Sequence, residues 1–236
     1  MNRSTNKKKI FALLQSHQWR EIETALLKWD PKDCISPFFA ALYNSDEILK
    51  WHAVSGFGLA VNRIACSDME AARVVMRRFL WSLNDESGGI GWGAPEAMAE
   101  VMASHDGLFE EYCHMLISYM REDGPALFQD GNYLELPALQ QGLLWGIGRL
   151  LSCRREEMLS RGVEAELPKY LNSSDRVVQG LAAWCLGICR SQNSIEDLRR
   201  LSKEPFTFQF YWNNRLQEVS VASLAWEALG AIQTTT

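Results

Sequence analysis

Apolar residues recur with helical spacing along almost the whole chain. REIETALLKW (20–29), EILKWHAVSGFGLAVNRIA (47–65) and LPALQQGLLWGIGRLLS (136–152) place apolar side chains at positions i, i+3, i+4 and i+7. This spacing puts the apolar side chains on one face of an α-helix. Strand-like alternation occurs once, in FTFQF (206–210). The pattern therefore predicts an all-α protein.

The helices also repeat. A small-residue centre followed by an apolar end recurs in GFGLAVNRI (56–64), GLLWGIGRL (142–150), AAWCLGICR (182–190) and LAWEALGAI (224–232), and more loosely in APEAMAEVM (94–102). Alignment at Val61, Met98, Ile147, Leu186 and Leu229 gives a period of about 40 residues, which is typical of one helix pair per repeat. Small residues follow at Ala99, Gly148, Gly187 and Gly230. A glycine inside a helix costs about 1 kcal/mol, and close approach of a neighbouring helix would offset that cost.

One repeat carries a family resemblance. SSDRVVQGLAAWCLGICRS (173–191) resembles the second helix of a HEAT repeat, and LPKYLNSSD (167–175) is similar to the end of the first helix. The likeness extends over residues 40–232, is strongest at 156–191, and omits the glycine loop at 88–93, which indicates an uncharacterised bacterial subfamily. It implies an α-α superhelix, a HEAT-like solenoid of the PBS-lyase type with about five helix pairs. We expect residues 1–15 to be a basic N-terminal tail and the start of the first helix, and 16–236 to be a single solenoid domain.

Composition indicates the cellular compartment in which the protein is expected. The longest charge-free apolar run, VVQGLAAWCLGIC (177–189), is shorter than the roughly 20 residues that span a bilayer. The apolar run near the start is too short for a signal-peptide core. Six cysteines stand in apolar helical segments rather than in a disulfide framework, which predicts core thiols in a reducing compartment. We therefore expect a cytoplasmic protein without a membrane partner.

Three connections are longer than a helix pair needs. WSLNDESGGIGWGAPEA (81–97) contains a link at 84–94, and similar links lie at 122–136 and 203–213, whereas those near Asn44 and Asn172 are short. In a helix-pair solenoid every first-to-second link emerges on the same side of the stack, here called the link edge. The links at 84–94 and 122–136 hold six carboxylates and no lysine or arginine, in a chain of net charge −5. The link aromatics are Trp92, Phe128, Tyr133, Phe206, Phe208, Phe210, Tyr211 and Trp212.

Carboxylates beside aromatic rings suit a basic or amphipathic protein segment. The candidate binding residues are Asp85, Glu86, Trp92, Glu96, Asp130, Tyr133, Phe208, Tyr211 and Trp212, with Trp51 and His52 on the second helix of repeat 1 as a concave-face alternative. The aromatics could instead fold back over the helix ends, and the glycines of 88–93 could serve only positive φ and close packing. A phosphate cradle needs a preceding strand, and NDES lacks the ligand spacing of an EF-hand.

Catalytic chemistry is sparse. The four histidines and six cysteines form no metal-ligand signature, so no metal and no cofactor are expected. HEAT-like arrays include scaffolds, regulatory subunits, bilin lyases and DNA glycosylases, which leaves function open. We expect a non-catalytic scaffold or adaptor, and a groove-using enzyme or lyase with His52 as its candidate residue is the alternative. The pI of 5.5 opposes nucleic-acid binding, although five arginines could form a local patch, namely Arg77, Arg78, Arg149, Arg154 and Arg155.

Overall fold

The computed structural model describes residues 3–15, 18–84, 90–124 and 131–234. It divides into two compact units, Met1–Cys113 and His114–Thr236. The all-α class is confirmed by the helices of both units. Within the described residues, no helix combines the length and apolar character needed to cross a membrane. A single solenoid domain over 16–236 stays a prediction.

The first unit is built from helices α1 to α6 and the start of α7. Their bounds are α1 Arg3–Leu14, α2 Trp19–Leu26, α3 Pro31–Leu42, α4 Glu47–Ser67, α5 Met69–Ser82, α6 Ala94–Ser104 and α7 Asp106–Ser118. Helices α3, α4 and α5 start where an aspartate caps the chain, because Asp30, Asp46 and Asp68 each accept a backbone N–H of the first turn. Helix α3 packs on α4, and α5 packs on α6, so the two predicted helix pairs are present.

The core of this unit is an aromatic cluster. The rings of Phe38, Phe39, Phe57 and Phe79 lie 4.7–5.4 Å apart where α3, α4 and α5 meet. Gly56 makes room for this cluster, since a Cβ there would lie 2.7 Å from the Phe38 ring. The buried aromatic area explains how two helix pairs form a stable unit.

Helix α1 joins this core. Ile10 and Leu14 are fully buried, whereas Lys7, Lys8 and Lys9 are exposed. The sequence suggested a basic tail that leads into a helix, and the described residues of this segment form a helix from Arg3 onward. The two buried side chains explain why this segment packs as a helix, because they give it an apolar face that contacts α3 and α4.

The second unit holds the rest of α7, five further helices α8 to α12, a β-hairpin and α13. The bounds are α8 Pro137–Cys153, α9 Arg155–Ser160, α10 Val163–Glu166, α11 Arg176–Cys189, α12 Ile195–Leu201, β1 Thr207–Trp212, β2 Arg215–Ser220 and α13 Val221–Gln233, with 3-10 turns at Pro168–Asn172 and Gln192–Ser194. Helix α11 packs between α8 and α13. The first helix of repeat 4 is broken into short pieces at Gly162, whose φ is 80°, and at Pro168.

The small residues predicted at helix contacts divide into two groups. A Cβ at Gly187 would lie 2.7 Å from the Ala228 Cα of α13, and one at Gly148 would overlap the Trp184 ring of α11. These two expectations are confirmed. The expectation is wrong for Gly230, where a Cβ would meet nothing within 4 Å. Gly230 lies on the exposed side of α13.

The FTFQF segment forms the predicted strand. β1 pairs antiparallel with β2, with Phe208 opposite Val219 and Trp212 opposite Arg215. The connection is Asn213-Asn214, and both residues have positive φ, 50° and 59°. This is the type I′ geometry whose twist matches a two-residue hairpin, and asparagine tolerates it better than most residues. The link at 203–213 is thus the first strand of a hairpin.

Candidate functional site

Glu96 lies in the first turn of α6, beside the first turn of α4. It is buried, and its Oε1 lies 3.6 Å from the Lys50 Nζ. Its Oε2 is also buried and has no hydrogen-bond partner within the described part of the chain. The Lys50 ammonium also lies 5.4 Å from the Trp51 ring. The positive end of the α6 dipole stabilises the carboxylate. Glu96 is therefore a buried residue that pairs with Lys50, and it offers no exposed surface to a partner.

Trp51 and His52 are both buried. The His52 Nδ1–H donates to the Leu14 carbonyl at 2.7 Å, and the His52 ring lies 5.9 Å from that of Trp19. Leu14 ends α1, where helix carbonyls lack a partner within the helix. His52 therefore ties α1 and α2 to α4, and neither residue offers surface to a partner.

The link at 84–94 contains Asp85 and Glu86, which lie outside the described residues. Its final part passes the ends of two helices. Gly91 has φ 65° and approaches the Ser82 carbonyl of α5, and Gly93 has φ 73° and approaches Leu42 of α3. Trp92 between them is half-buried. At these two positions the glycines serve positive φ and close packing, as one of the sequence interpretations held.

Two exposed aromatic residues flank this point, and the candidate list omitted both. Tyr43 follows Leu42 and is 54% exposed, and Trp81 precedes Ser82 and is 58% exposed. Helical phase could have revealed Trp81, because the buried face of α5 runs through Ala72, Val75, Met76 and Phe79 and leaves position 81 to one side. Both residues stand at helix ends, Tyr43 directly after α3 and Trp81 in the last turn of α5.

In the link at 122–136, Phe128 and Asp130 lie outside the described residues. Tyr133 is half-buried: its hydroxyl accepts from the Gln140 Nε2–H at 3.0 Å, and its ring stacks on Tyr170 with centroids 6.2 Å apart. The Lys169 Nζ lies 5.2 Å from the same ring. Burial, reinforced by the Glu122 charge, raises the pKa of Tyr133. Three exposed carboxylates remain on the described part of this link, those of Glu122, Asp123 and Glu135.

The aromatic residues of β1 pack within their own unit. Phe208 approaches Gly180, and the Trp212 and Trp184 ring centroids lie 4.9 Å apart. Tyr211 is buried, and its carbonyl accepts the Trp145 Nε1–H at 2.7 Å. The interpretation that the aromatics fold back over the helices is therefore correct for these residues, whereas Phe206 of the same link is 45% exposed. The expectation of exposure is wrong for Phe210 and Tyr211.

The six cysteines differ in their exposure to solvent. Cys34, Cys113, Cys185 and Cys189 are buried as expected, but Cys66 and Cys153 are exposed. Burial raises the pKa of Cys34 and of Cys189 to about 12, and that of Cys185 well above its usual value. No group of three or more histidine, cysteine, aspartate or glutamate residues suited to a metal occurs among the residues that the structure describes.

Most members of the predicted arginine patch are engaged within the protein. Arg77 pairs with Glu70 at 2.5 Å, and Arg154 pairs with Glu157. Arg155 donates to the Ile188 and Cys189 carbonyls at the end of α11. Guanidinium groups held in this way are poorly placed to neutralise a row of phosphates.

Comparisons with known proteins support the fold and leave the family open. No family model matches the chain. An uncharacterised protein of Archaeoglobus fulgidus is 32% identical over 85 residues, which cover 36% of this chain and 43% of that protein. The crystal structure of an engineered protein is 14% identical, with a TM-score of 0.52 over 99% of this chain and 100% of the other.

A designed armadillo repeat protein in complex with the peptide (KR)4 is 14% identical, with a TM-score of 0.47 over 95% of this chain and 98% of the other. The score of 0.52 indicates a similar fold, and the score of 0.47 is too low to carry an argument. Membership of the HEAT family stays a prediction. The chain is an α-helical repeat protein similar in fold to the engineered protein.

Proposed function

We propose that the chain is a non-catalytic helical-repeat scaffold or adaptor that binds a segment of another protein along the link edge. One observation carries the proposal: several large apolar residues that the fold leaves exposed lie on links between first and second helices. They are Ile90 in the first unit and Leu136 and Phe206 in the second. Single exposed apolar residues are ordinary, but these stand on the long links, which also hold carboxylates, and that combination suits a contact surface.

Charge supports a basic or amphipathic partner segment. Glu122, Asp123 and Glu135 are exposed on the described part of the second long link. Asp85, Glu86 and Asp130 add carboxylates to the same links by sequence. Exposed charges of one sign steer an oppositely charged partner and set its orientation, whereas the apolar residues supply the larger part of the affinity.

The link edge is favoured over a surface at Trp51 and His52. Both of these residues are buried, and His52 donates its Nδ1–H to the Leu14 carbonyl. A general base has to reach a substrate proton within hydrogen-bond distance, and His52, at 2% exposure, is not open to a substrate. The enzyme alternative therefore loses the residue on which it rested.

The test combines affinity capture with matched variants. The tagged protein is used to isolate partners, and the strongest candidate is then measured against purified protein. We expect the triple variant I90D/L136D/F206D to weaken binding by at least about tenfold, because each change puts a charge into an apolar contact. The double variant L27D/W226D changes equally exposed positions away from the links and should bind normally.

Two results would contradict the proposal. Equal losses in both variants would mean that exposed apolar residues contribute without regard to position. Normal binding by the triple variant, with loss on substitution of Trp51 or His52 in a protein that still folds, would move the working surface to α4.

A further inference from the structure

The guanidinium group of Arg78 is set apart from the other arginines of α5. Arg73 forms two hydrogen bonds with Glu111, at 2.6 and 2.8 Å, and Arg77 pairs with Glu70. The Arg78 side chain is exposed, and its Cζ lies 3.7 Å from the centroid of the Phe39 ring. Among the described residues it has no carboxylate partner. The cation–π contact holds the guanidinium over the ring while the side chain as a whole stays exposed.

Two exposed apolar residues lie on the same side of α5 as this arginine. Val74 and Trp81 stand four residues before it and three after it on α5, so all three share one exposed row, and each of the two apolar residues is more than half exposed. Tyr43 follows directly after α3, four residues beyond Phe39, and is exposed to the same degree. The α3–α5 patch is defined as Tyr43, Val74, Arg78 and Trp81.

We propose that the α3–α5 patch binds an acidic, apolar segment of a partner protein. A carboxylate of the segment forms paired hydrogen bonds with Arg78, and adjacent aromatic or aliphatic side chains cover Val74, Trp81 and Tyr43. Planar two-point recognition of a carboxylate is the task for which arginine is better suited than lysine. The exposed tryptophan and tyrosine are residue types that often anchor interfaces.

The charge pattern favours a peptide over a nucleic acid. A strand of nucleic acid needs several unpaired cations along its phosphates, whereas Glu111 and Glu70 already neutralise Arg73 and Arg77. Within the part of the chain that the structure describes, the Arg78 guanidinium has no carboxylate partner and has exposed apolar residues beside it, so it matches a single carboxylate with apolar neighbours. This partner chemistry is opposite in sign to that proposed for the link edge, so the two surfaces can be tested separately.

The experiment is a selection from a random peptide library displayed on phage, with the full-length protein as the target. We expect enrichment of peptides that carry aspartate or glutamate next to aromatic or aliphatic residues. Synthetic peptides of the enriched sequence should bind Arg78→Gln and Trp81→Ala at least about tenfold more weakly. Binding to Arg77→Gln and Trp226→Ala should be unchanged, since these matched controls remove a paired arginine of the same helix and an exposed tryptophan of the other unit.

A second comparison separates this proposal from the link-edge function. Neutralising Asp85 and Glu86 by amide substitution should leave the acidic peptide bound equally or more tightly, but should weaken a basic segment on the link edge. The α3–α5 proposal is overturned if no acidic apolar peptide is enriched, or if Arg78→Gln binds such peptides as well as the parent protein. It is also overturned if the patch instead mediates self-association or retains single-stranded RNA in the same assay.

Discussion

At the residue scale, backbone approach distinguishes glycines that look alike in the sequence. Gly187 and Gly230 occupy equivalent places in two helices of the repeat pattern, yet only Gly187 touches a neighbouring helix, at Ala228. The difference arises because α11 lies between two helices, whereas the Gly230 side of α13 faces solvent. The same local pattern therefore serves packing at one position and not at the other.

We predict opposite effects for the two alanine substitutions. Gly187→Ala places a Cβ 2.7 Å from backbone of α13, so the helices must shift, at a cost of about 1–3 kcal/mol in the free energy of unfolding. Gly230→Ala meets no neighbour and should stabilise its helix by up to about 1 kcal/mol. Urea unfolding of both variants checks this, and equal midpoints would contradict the predicted contact of α11 with α13.

Thiol exposure gives a second prediction at this scale. Cys66 and Cys153 are exposed, whereas Cys34, Cys113, Cys185 and Cys189 are buried, with the pKa of Cys34 and of Cys189 near 12. Because the thiolate is the reactive form, the four buried thiols should resist iodoacetamide at neutral pH. Mass spectrometry should find label at Cys66 and Cys153 in the folded protein, and at all six positions in guanidinium chloride. Rapid labelling of Cys185 under native conditions would show that α11 is not packed as described.

At the element scale, individual polar residues determine where helices start, how one helix end is held and where the hairpin turns. Aspartate caps start α3, α4, α5 and α11, whereas α1 is held at its far end by His52. The hairpin β1–β2 depends on two asparagines with positive φ. Each of these devices is local in sequence except His52, which acts across 38 positions.

The hairpin prediction concerns Asn213. Valine there should cost about 1–2 kcal/mol, because a β-branched residue is strained at positive φ, whereas glycine should be tolerated. Near-ultraviolet circular dichroism of the Trp184–Trp212 pair, followed during thermal unfolding, reports on the hairpin directly. Identical melting of the valine and glycine variants would argue against a type I′ turn.

The His52 prediction concerns the docking of α1. His52→Ala removes the hydrogen bond to the Leu14 carbonyl and should cost about 1–3 kcal/mol. Amide hydrogen exchange should rise first in α1 and α2, since these helices lose their tie to α4. Unchanged exchange in α1, combined with loss of a chemical activity, would instead support the enzyme alternative.

At the scale of the whole molecule, the net charge of −5 is distributed unevenly. The long links hold carboxylates, while the arginines of α5, α9 and α12 mostly pair with nearby glutamate and aspartate residues. The two proposed surfaces, the link edge and the α3–α5 patch, differ accordingly in the charge of the segment that each is proposed to bind. An adaptor with two such surfaces could hold two different segments.

The corresponding prediction concerns salt. A basic segment on the link edge should bind more weakly as ionic strength rises, because exposed charges are screened over about 8–10 Å near physiological salt. The apolar part of the affinity should persist. Charge reversal at Asp85, Glu86 and Asp130 should slow association, whereas Phe206→Ala should speed dissociation. Titration calorimetry and surface plasmon resonance at several salt concentrations test this, and salt-independent binding would count against a charged link edge.

Helical periodicity and the strand-like alternation of FTFQF were readable because they depend on residues close in sequence. The helix pairs, the FTFQF strand and the glycine contacts at 148 and 187 were predicted in this way, and the structure contains them. Exposure of the candidate residues was harder to predict. Phe210 and Tyr211 occur in the same short segment as Phe206, yet the first two are buried and the third is not.

The sequence by itself determined the all-α class, the period of the helix pairs and the acidity of the long links, since periodicity, spacing and charge are properties of the chain alone. Only the tertiary structure decided which aromatic side chains face solvent. The buried Tyr211 lies against Trp145, 66 positions away, with ring centroids 6.5 Å apart, and Arg78 is set apart by Phe39 of another helix beneath it. Burial and charge pairing depend on neighbours that are distant in sequence, and only the folded chain brings those neighbours together.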